Sequence, residues 1–173
     1  MMFLLYAIFA AALIVVDQLT KHWAVTALAQ GSIPLVEDVF EFKFHKNPGV
    51  AFSMLEGKRW LFIPISLLMT VLLIVIFIRS PLRKSKFFSI SVVLVISGAV
   101  GNLIDRIALG YVVDFFYVKL INFPIFNFAD CCVVIGVCLL FGYLILGMRN
   151  IGDMPMRTLL FGIHDKTKES DHG

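Results

Sequence analysis

The sequence predicts an α-helical integral membrane protein: four transmembrane helices with a small antiparallel β-sheet formed by the extracytoplasmic loops. Three observations carry that expectation. The chain has 173 residues, 60% hydrophobic and 16% charged, with mean hydropathy +0.92, more apolar sequence than a soluble domain of this size can hide. Its apolar runs approach the ~20 residues needed to cross hydrocarbon, where only helices and closed barrels satisfy their backbone. Between two of these runs, V-F-E-F-K-F-H at 39–45 alternates Phe40, Phe42 and Phe44 with Glu41, Lys43 and His45, the period of a half-buried strand.

Taken in order, Phe3–Val16 is apolar and extends past Asp17 and Lys21 toward Leu28, giving a first span at about 3–28. The stretch 60–78 carries no charge and is the second span. The third, 87–105, ends in a polar cluster, and the fourth, 128–148, begins with one. The link R-S-P-L-R-K-S-K places Arg79, Arg83, Lys84 and Lys86 together with no acid, so the positive-inside rule puts it in the cytoplasm. Both termini are then cytoplasmic, and the Gly31–Arg59 and Arg106–Asn127 loops face outward. In the first loop Lys43, Lys46, Lys58 and Arg59 are diluted by Glu37, Asp38, Glu41 and Glu56. The segment Y-V-V-D-F-F-Y-V is β-branched and aromatic, suited to pair with 39–45 in a sheet whose apolar face meets lipid or substrate. Residues 1–148 form one membrane-embedded domain, and 149–173, of mixed charge, a cytoplasmic tail. A cleaved leader ending at A-L-A, 27–29, is opposed by the lack of Lys or Arg before the apolar run.

Several function classes drop out. Cys131, Cys132 and Cys138 lie in one apolar run without C-x-x-C spacing and read as small hydrophobes. No basic stripe interleaved with aromatics indicates nucleic acid. H-E-x-x-H, G-x-S-x-G and G-x-x-x-x-G-K-[ST] are absent, and Ser53 with His45 is an unsupported serine pair.

The polar residues near the span ends remain. Asp17 and Lys21, four apart, share a helix face and read either as a structural ion pair or as a contact for substrate or lipid headgroups. Gly98, Asn102 and Asp105 fall on one stripe, and Asn102 and Arg106 are also four apart. Ser97 and Gly101 form a small-x-x-x-small pair that permits close helix approach. Asn127 and Asp130 have the spacing of a helix N-cap with a capping-box carboxylate. Asp114 has no such explanation, because it interrupts an apolar strand-like run. A carboxylate near hydrocarbon is costly, and two flanking one short loop suggest an acid/base pair sharing a proton. The ionised member would activate a water and the protonated member would donate to the oxyanion, with Asn102, Asn127 and Arg106 orienting them. A proton-coupled transporter predicts acids spread through membrane depth and repeat symmetry, whereas these acids gather at one face. A membrane scaffold leaves Asp114 and Asp130 unexplained.

Five blocks, D-Q-L-T-K at 17–21, N-P-G-V-A-F-S at 47–53, G-N-L-I-D-R at 101–106, V-V-D-F at 112–115 and F-N-F-A-D at 126–130, jointly resemble bacterial lipoprotein signal peptidase (signal peptidase II), an aspartyl peptidase family. Ser97 stands where the family has glycine, and the tail lies outside the resemblance. The resemblance implies cleavage of the signal peptide from prolipoproteins, before a cysteine carrying diacylglycerol, at the outer face of the cytoplasmic membrane. Asp114 and Asp130 correspond to the catalytic aspartates. Asp17, Lys21, Asn47, Gly49, Asn102, Asp105, Arg106, Asn127 and Ala129 fall on positions that bind substrate or support the site. It further implies an outer sheet that cradles substrate, inhibition by globomycin-type cyclic peptides, contact with membrane lipid, and no metal or organic cofactor.

Overall fold

The computed structural model describes residues 2–49 and 59–151. Along them run α1 (Met2–Ala27), β1 (Ile33–Val36), β2 (Phe40–Asn47), α2 (Arg59–Arg79), α3 (Lys86–Ala108), β3 (Val112–Val118) and α4 (Phe128–Ile151). Short 3-10 turns lie at Pro81–Lys84 and Lys119–Ile121. Helices α1, α3 and α4 are long and apolar enough to cross a membrane, and α2 is apolar from Ile63 to Arg79. Large apolar side chains such as Leu4, Leu5, Ile8, Leu68 and Phe141 stay exposed on the helices, as expected where lipid is the solvent. The expected tail, 149–173, falls almost wholly outside the described residues, and α4 continues through Ile151.

The basic link breaks the helix for a local reason. Pro81 has no N–H to continue α2, and the Ser80 hydroxyl accepts the Leu82 N–H at 3.2 Å. Ser85 then caps α3, its hydroxyl accepting the Phe88 N–H at 3.4 Å.

Helix α3 is the hub and packs against α1, α2 and, most extensively, α4. Lipid tails give helices no hydrophobic reason to associate, so close approach and hydrogen bonds must do the work. A Cβ on Gly98 would overlap the Ala129 carbonyl, and one on Gly136 would sit 2.7 Å from the Ser91 carbonyl. The seam therefore runs through Gly98, Gly101 and Gly136. Ser97 is buried too, its hydroxyl turned back along α3 to the Val93 carbonyl at 2.7 Å.

The sheet has the order β1-β2-β3, antiparallel throughout. Strand β1 was not foreseen in the sequence. Its four residues include Pro34 and show no alternation, and all four are exposed, as suits an edge strand. The tight turn into β2 closes through the Val39 N–H and the Val36 carbonyl, 3.1 Å, with Asp38 left-handed at φ 54. Strands β2 and β3 pair as expected, and the register sets His45 opposite Asp114 and Asn47 opposite Val112.

One face of this sheet seats on the end of α1. Val113 and Phe115 are buried with Ala24 and Leu28, while the Trp23 ring meets Phe42 and Phe115 edge-on at 5.3 and 6.3 Å. The most apolar part of the sheet thus meets protein, rather than the lipid or substrate expected from its pattern. That contact fixes β3, and with it Asp114, relative to the helices.

Candidate active site

Asp114 lies in the middle of β3 and is 1% exposed. Its two oxygens accept from two amides: Asn47 Nδ2 reaches Oδ2 at 2.8 Å and Asn127 Nδ2 reaches Oδ1 at 2.6 Å. Burial pushes the carboxyl up to about 6 against these two donors, and the nearby Asp130 pushes the same way. Asn47 is itself held, since the Gly49 N–H donates to its Oδ1 at 2.9 Å. Gly49 adopts φ 94, a left-handed backbone that suits glycine. With its oxygen engaged there, the Asn47 amide can only present its NH₂ to the acid.

Asp130 sits in the first turn of α4. The Asn127 Oδ1 accepts the Asp130 N–H at 3.0 Å, and Asp130 Oδ2 accepts the Asn127 N–H at 3.1 Å. This is the reciprocal capping box anticipated from the spacing. It leaves Oδ1 available, and Asn102 Nδ2 donates to it at 2.8 Å. Asn127 Nδ2 also reaches Asn102 Oδ1 at 3.1 Å. Capping and carboxyl pairing are therefore one arrangement: the residue that starts α4 also bridges to Asp114.

A second, fully buried layer lies beneath. Lys21 is 3% exposed, and its three ammonium protons meet three acceptors. These are Asp17 Oδ2 at 2.9 Å, Asp105 Oδ2 at 3.0 Å and Asn102 Oδ1 at 3.0 Å. The two carboxylates then each grip a backbone amide. Asp17 Oδ1 accepts the Ala129 N–H at 2.9 Å, and Asp105 Oδ2 accepts the Val113 N–H at 3.0 Å. Each of these amides belongs to the residue just before Asp130 or Asp114. Of the alternatives open for Asp17 and Lys21, the structure shows the ion pair, enlarged to include Asp105.

Gln18 belongs to this layer and was not singled out in the sequence. Its amide donates to Asp17 Oδ2 and Asp105 Oδ1, both at 3.1 Å, and to the Gly101 carbonyl at 3.3 Å. The available signal was position: Gln18 precedes Lys21 by three residues and shares its helix face. Arg106 Nη1 lies 3.4 Å from the Asn102 carbonyl. Ser53 lies outside the described residues.

Two hollows border residues of the site. An apolar groove of about 390 Å³ runs along α4 past Phe123, Phe126, Cys131, Val134 and Ile135, with Asp130 in its wall. A polar cleft of about 360 Å³ lies over β2 and β3, with Asn47 in its wall. Phe123 borders both.

Fold and site define a class: a helical membrane enzyme with two carboxyls joined through asparagine amides, the equipment of an aspartic hydrolase. The family model described as Signal peptidase (SPase) II matches residues 9–146. Lipoprotein signal peptidase of Brevibacillus brevis is 43% identical over 136 residues, 78% of this chain and 91% of the relative. That of Symbiobacterium thermophilum is 42% identical over 150 residues, covering 85% and 98%. A solved bacterial membrane enzyme superposes with TM-score 0.77 at 30% identity, over 87% of this chain and 93% of the other. The chain belongs to the signal peptidase II family, aspartic peptidases that process prolipoproteins.

Proposed function

We propose that Asp114 and Asp130 share one proton and together hydrolyse the peptide bond preceding a diacylglyceryl-modified cysteine, releasing the signal peptide of a prolipoprotein. The observation that carries this is the Asn127 bridge: one amide donates to Asp114 while its oxygen holds the Asp130 N–H. Two carboxyls bridged by one asparagine do not both ionise readily, so the pair holds one proton up to about pH 6. The ionised member takes a proton from water as the water oxygen attacks the scissile carbonyl. The protonated member donates to the developing oxyanion, and collapse of the tetrahedral intermediate expels the amine of the modified cysteine.

The remaining site residues divide by what they touch. Asn47, with Gly49 behind it, and Asn102 and Asn127 hold the carboxyl oxygens. Asp17, Lys21 and Asp105 fix the backbone at Ala129 and Val113, and Arg106 contributes positive charge beside the acids. The apolar groove along α4 fits an apolar part of the substrate, an acyl chain or the signal peptide itself. We place this end of the bundle at the outer face of the cytoplasmic membrane, with both termini and the basic link inside, because Arg79, Arg83, Lys84 and Lys86 gather at the opposite end. Residues 1–148 then act as one peptidase domain with 149–173 as its tail.

The test is cleavage in liposomes of one prolipoprotein with and without its diacylglyceryl group, in the presence and absence of globomycin. Cutting confined to the lipidated form and blocked by globomycin supports the reading. Equal cutting of both forms would remove the lipid from recognition.

A further inference from the structure

The polar cleft over the sheet is not needed to explain the chemistry at the carboxyl pair, yet one residue belongs to both. Asn47 both lines the cleft and donates to Asp114 at 2.8 Å. On the other side, the apolar groove reaches Asp130, and Phe123 separates the two hollows. A peptide with its scissile bond at the pair must lay one side in each. The two differ in character: the groove is lined mainly by apolar side chains, whereas the cleft carries Lys43, His45, Tyr117 and Asn122, with no acid among its described lining residues. Apolar substrate belongs in the first, and polypeptide leaving toward water belongs in the second.

The cleft is also built to hold its shape. The Tyr117 hydroxyl donates to Asn122 Oδ1 at 2.6 Å, and Asn122 is set left-handed at φ 49, with its N–H on the Lys119 carbonyl. The Lys43 ammonium stands 5.3 Å over the Tyr117 ring, which keeps the cation at the cleft wall. An extended peptide entering here finds cationic and hydrogen-bond-donating side chains.

Resting on the carboxyl-pair reading above, we propose that this cleft receives the first residues of the mature chain beyond the modified cysteine and favours acidic side chains there. Lys43 and His45 set that preference. Both are exposed, so the Lys43 charge contributes modestly, about two- to fivefold, and the preference weakens with salt.

The experiment uses three lipidated prolipoproteins, identical except for neutral, acidic or basic residues at the second to fourth positions of the mature chain. Wild type and the Lys43→Glu/His45→Glu variant, both in liposomes at low ionic strength, are compared by the ratio of kcat/KM, acidic over basic. That ratio is internal to each protein, so a general loss of activity cancels. We expect a ratio near ten in wild type, falling toward one at high salt, and below one in the variant. A wild-type ratio of one, or a variant that keeps the wild-type ranking, overturns the cleft assignment while leaving the carboxyl pair intact. Failure of wild type to cut any of the three overturns the carboxyl-pair reading and this one with it.

Discussion

Asp17 holds Ala129: a carboxylate on the first helix accepts the N–H of a residue on the fourth at 2.9 Å, both fully buried. Asp105 does the same for Val113 at 3.0 Å, and Lys21 binds both carboxylates. One ammonium thus ties together the backbone on which Asp130 and Asp114 are mounted. A buried ion cluster is a weak source of net stability. Its consequence here is geometric, because a fraction of an ångström at either amide is carried directly to an acid.

Gly101 makes that geometry testable. A Cβ there would lie 2.5 Å from Asp17 Oδ2, so Gly101→Ala must displace the carboxylate that positions Ala129. We expect a loss of at least about tenfold in kcat, as misplacement of catalytic groups commonly gives. Gly142→Ala, with nothing within 4 Å of the added methyl, should match wild type in both activity and melting temperature. Equal behaviour of the two variants would contradict the packing account.

Asn127 does two things that substitution can separate. Serine keeps the N-cap acceptor for the first turn of α4 but has no amide to reach Asp114 and Asn102. Asn127→Ser should therefore stay within about 1 kcal/mol of wild-type stability while losing about a hundredfold in kcat, an amount comparable to removing one well-placed donor. Asn127→Ala should lose both. Measuring thermal unfolding and cleavage on the same preparations distinguishes capping from catalysis.

The Asp114 carboxyl is held at about 6 by burial, against an ordinary value of 3.8. Between those values the folded protein keeps a proton that the unfolded chain has released. Asp114 therefore makes stability fall as pH rises from 3.8 to about 6, with no further change above. The wild-type minus Asp114→Asn difference in stability should show that slope. Activity follows the same window: as pH rises through about 6 the pair loses the proton that its acid member donates, so kcat/KM should fall on the alkaline side. A kcat/KM that stays level from about pH 5 up to about pH 8 would contradict a shared-proton pair.

How much of this was legible depends on the length scale of each signal. Four helices followed from apolar runs, and β2 and β3 from the alternation at 39–45 and the β-branched run around Asp114. Strand β1 was missed because four residues containing Pro34 carry no period, and its strand character comes from pairing with β2. The Asn127–Asp130 capping box was readable since it spans only three residues. What pairing logic could not supply was the cross-chain wiring. Nothing local says that Asp17 seeks the amide of Ala129, or that Gln18 spans two acids and a carbonyl. Likewise, the sheet's apolar face was visible in sequence, but its partner, the end of α1 around Ala24 and Leu28, was not.

The central claim is that two carboxyls do the chemistry together. The most direct measurement is cleavage of a lipidated prolipoprotein in liposomes by wild type, Asp114→Asn and Asp130→Asn, with folding of each verified by thermal unfolding. Each variant should remain folded and lose at least about a thousandfold in kcat/KM, as expected when one member of a catalytic unit is removed. If either variant keeps more than about a tenth of wild-type activity, that aspartate does not take part in the proton transfers, and for Asp130 only the capping of α4 would remain.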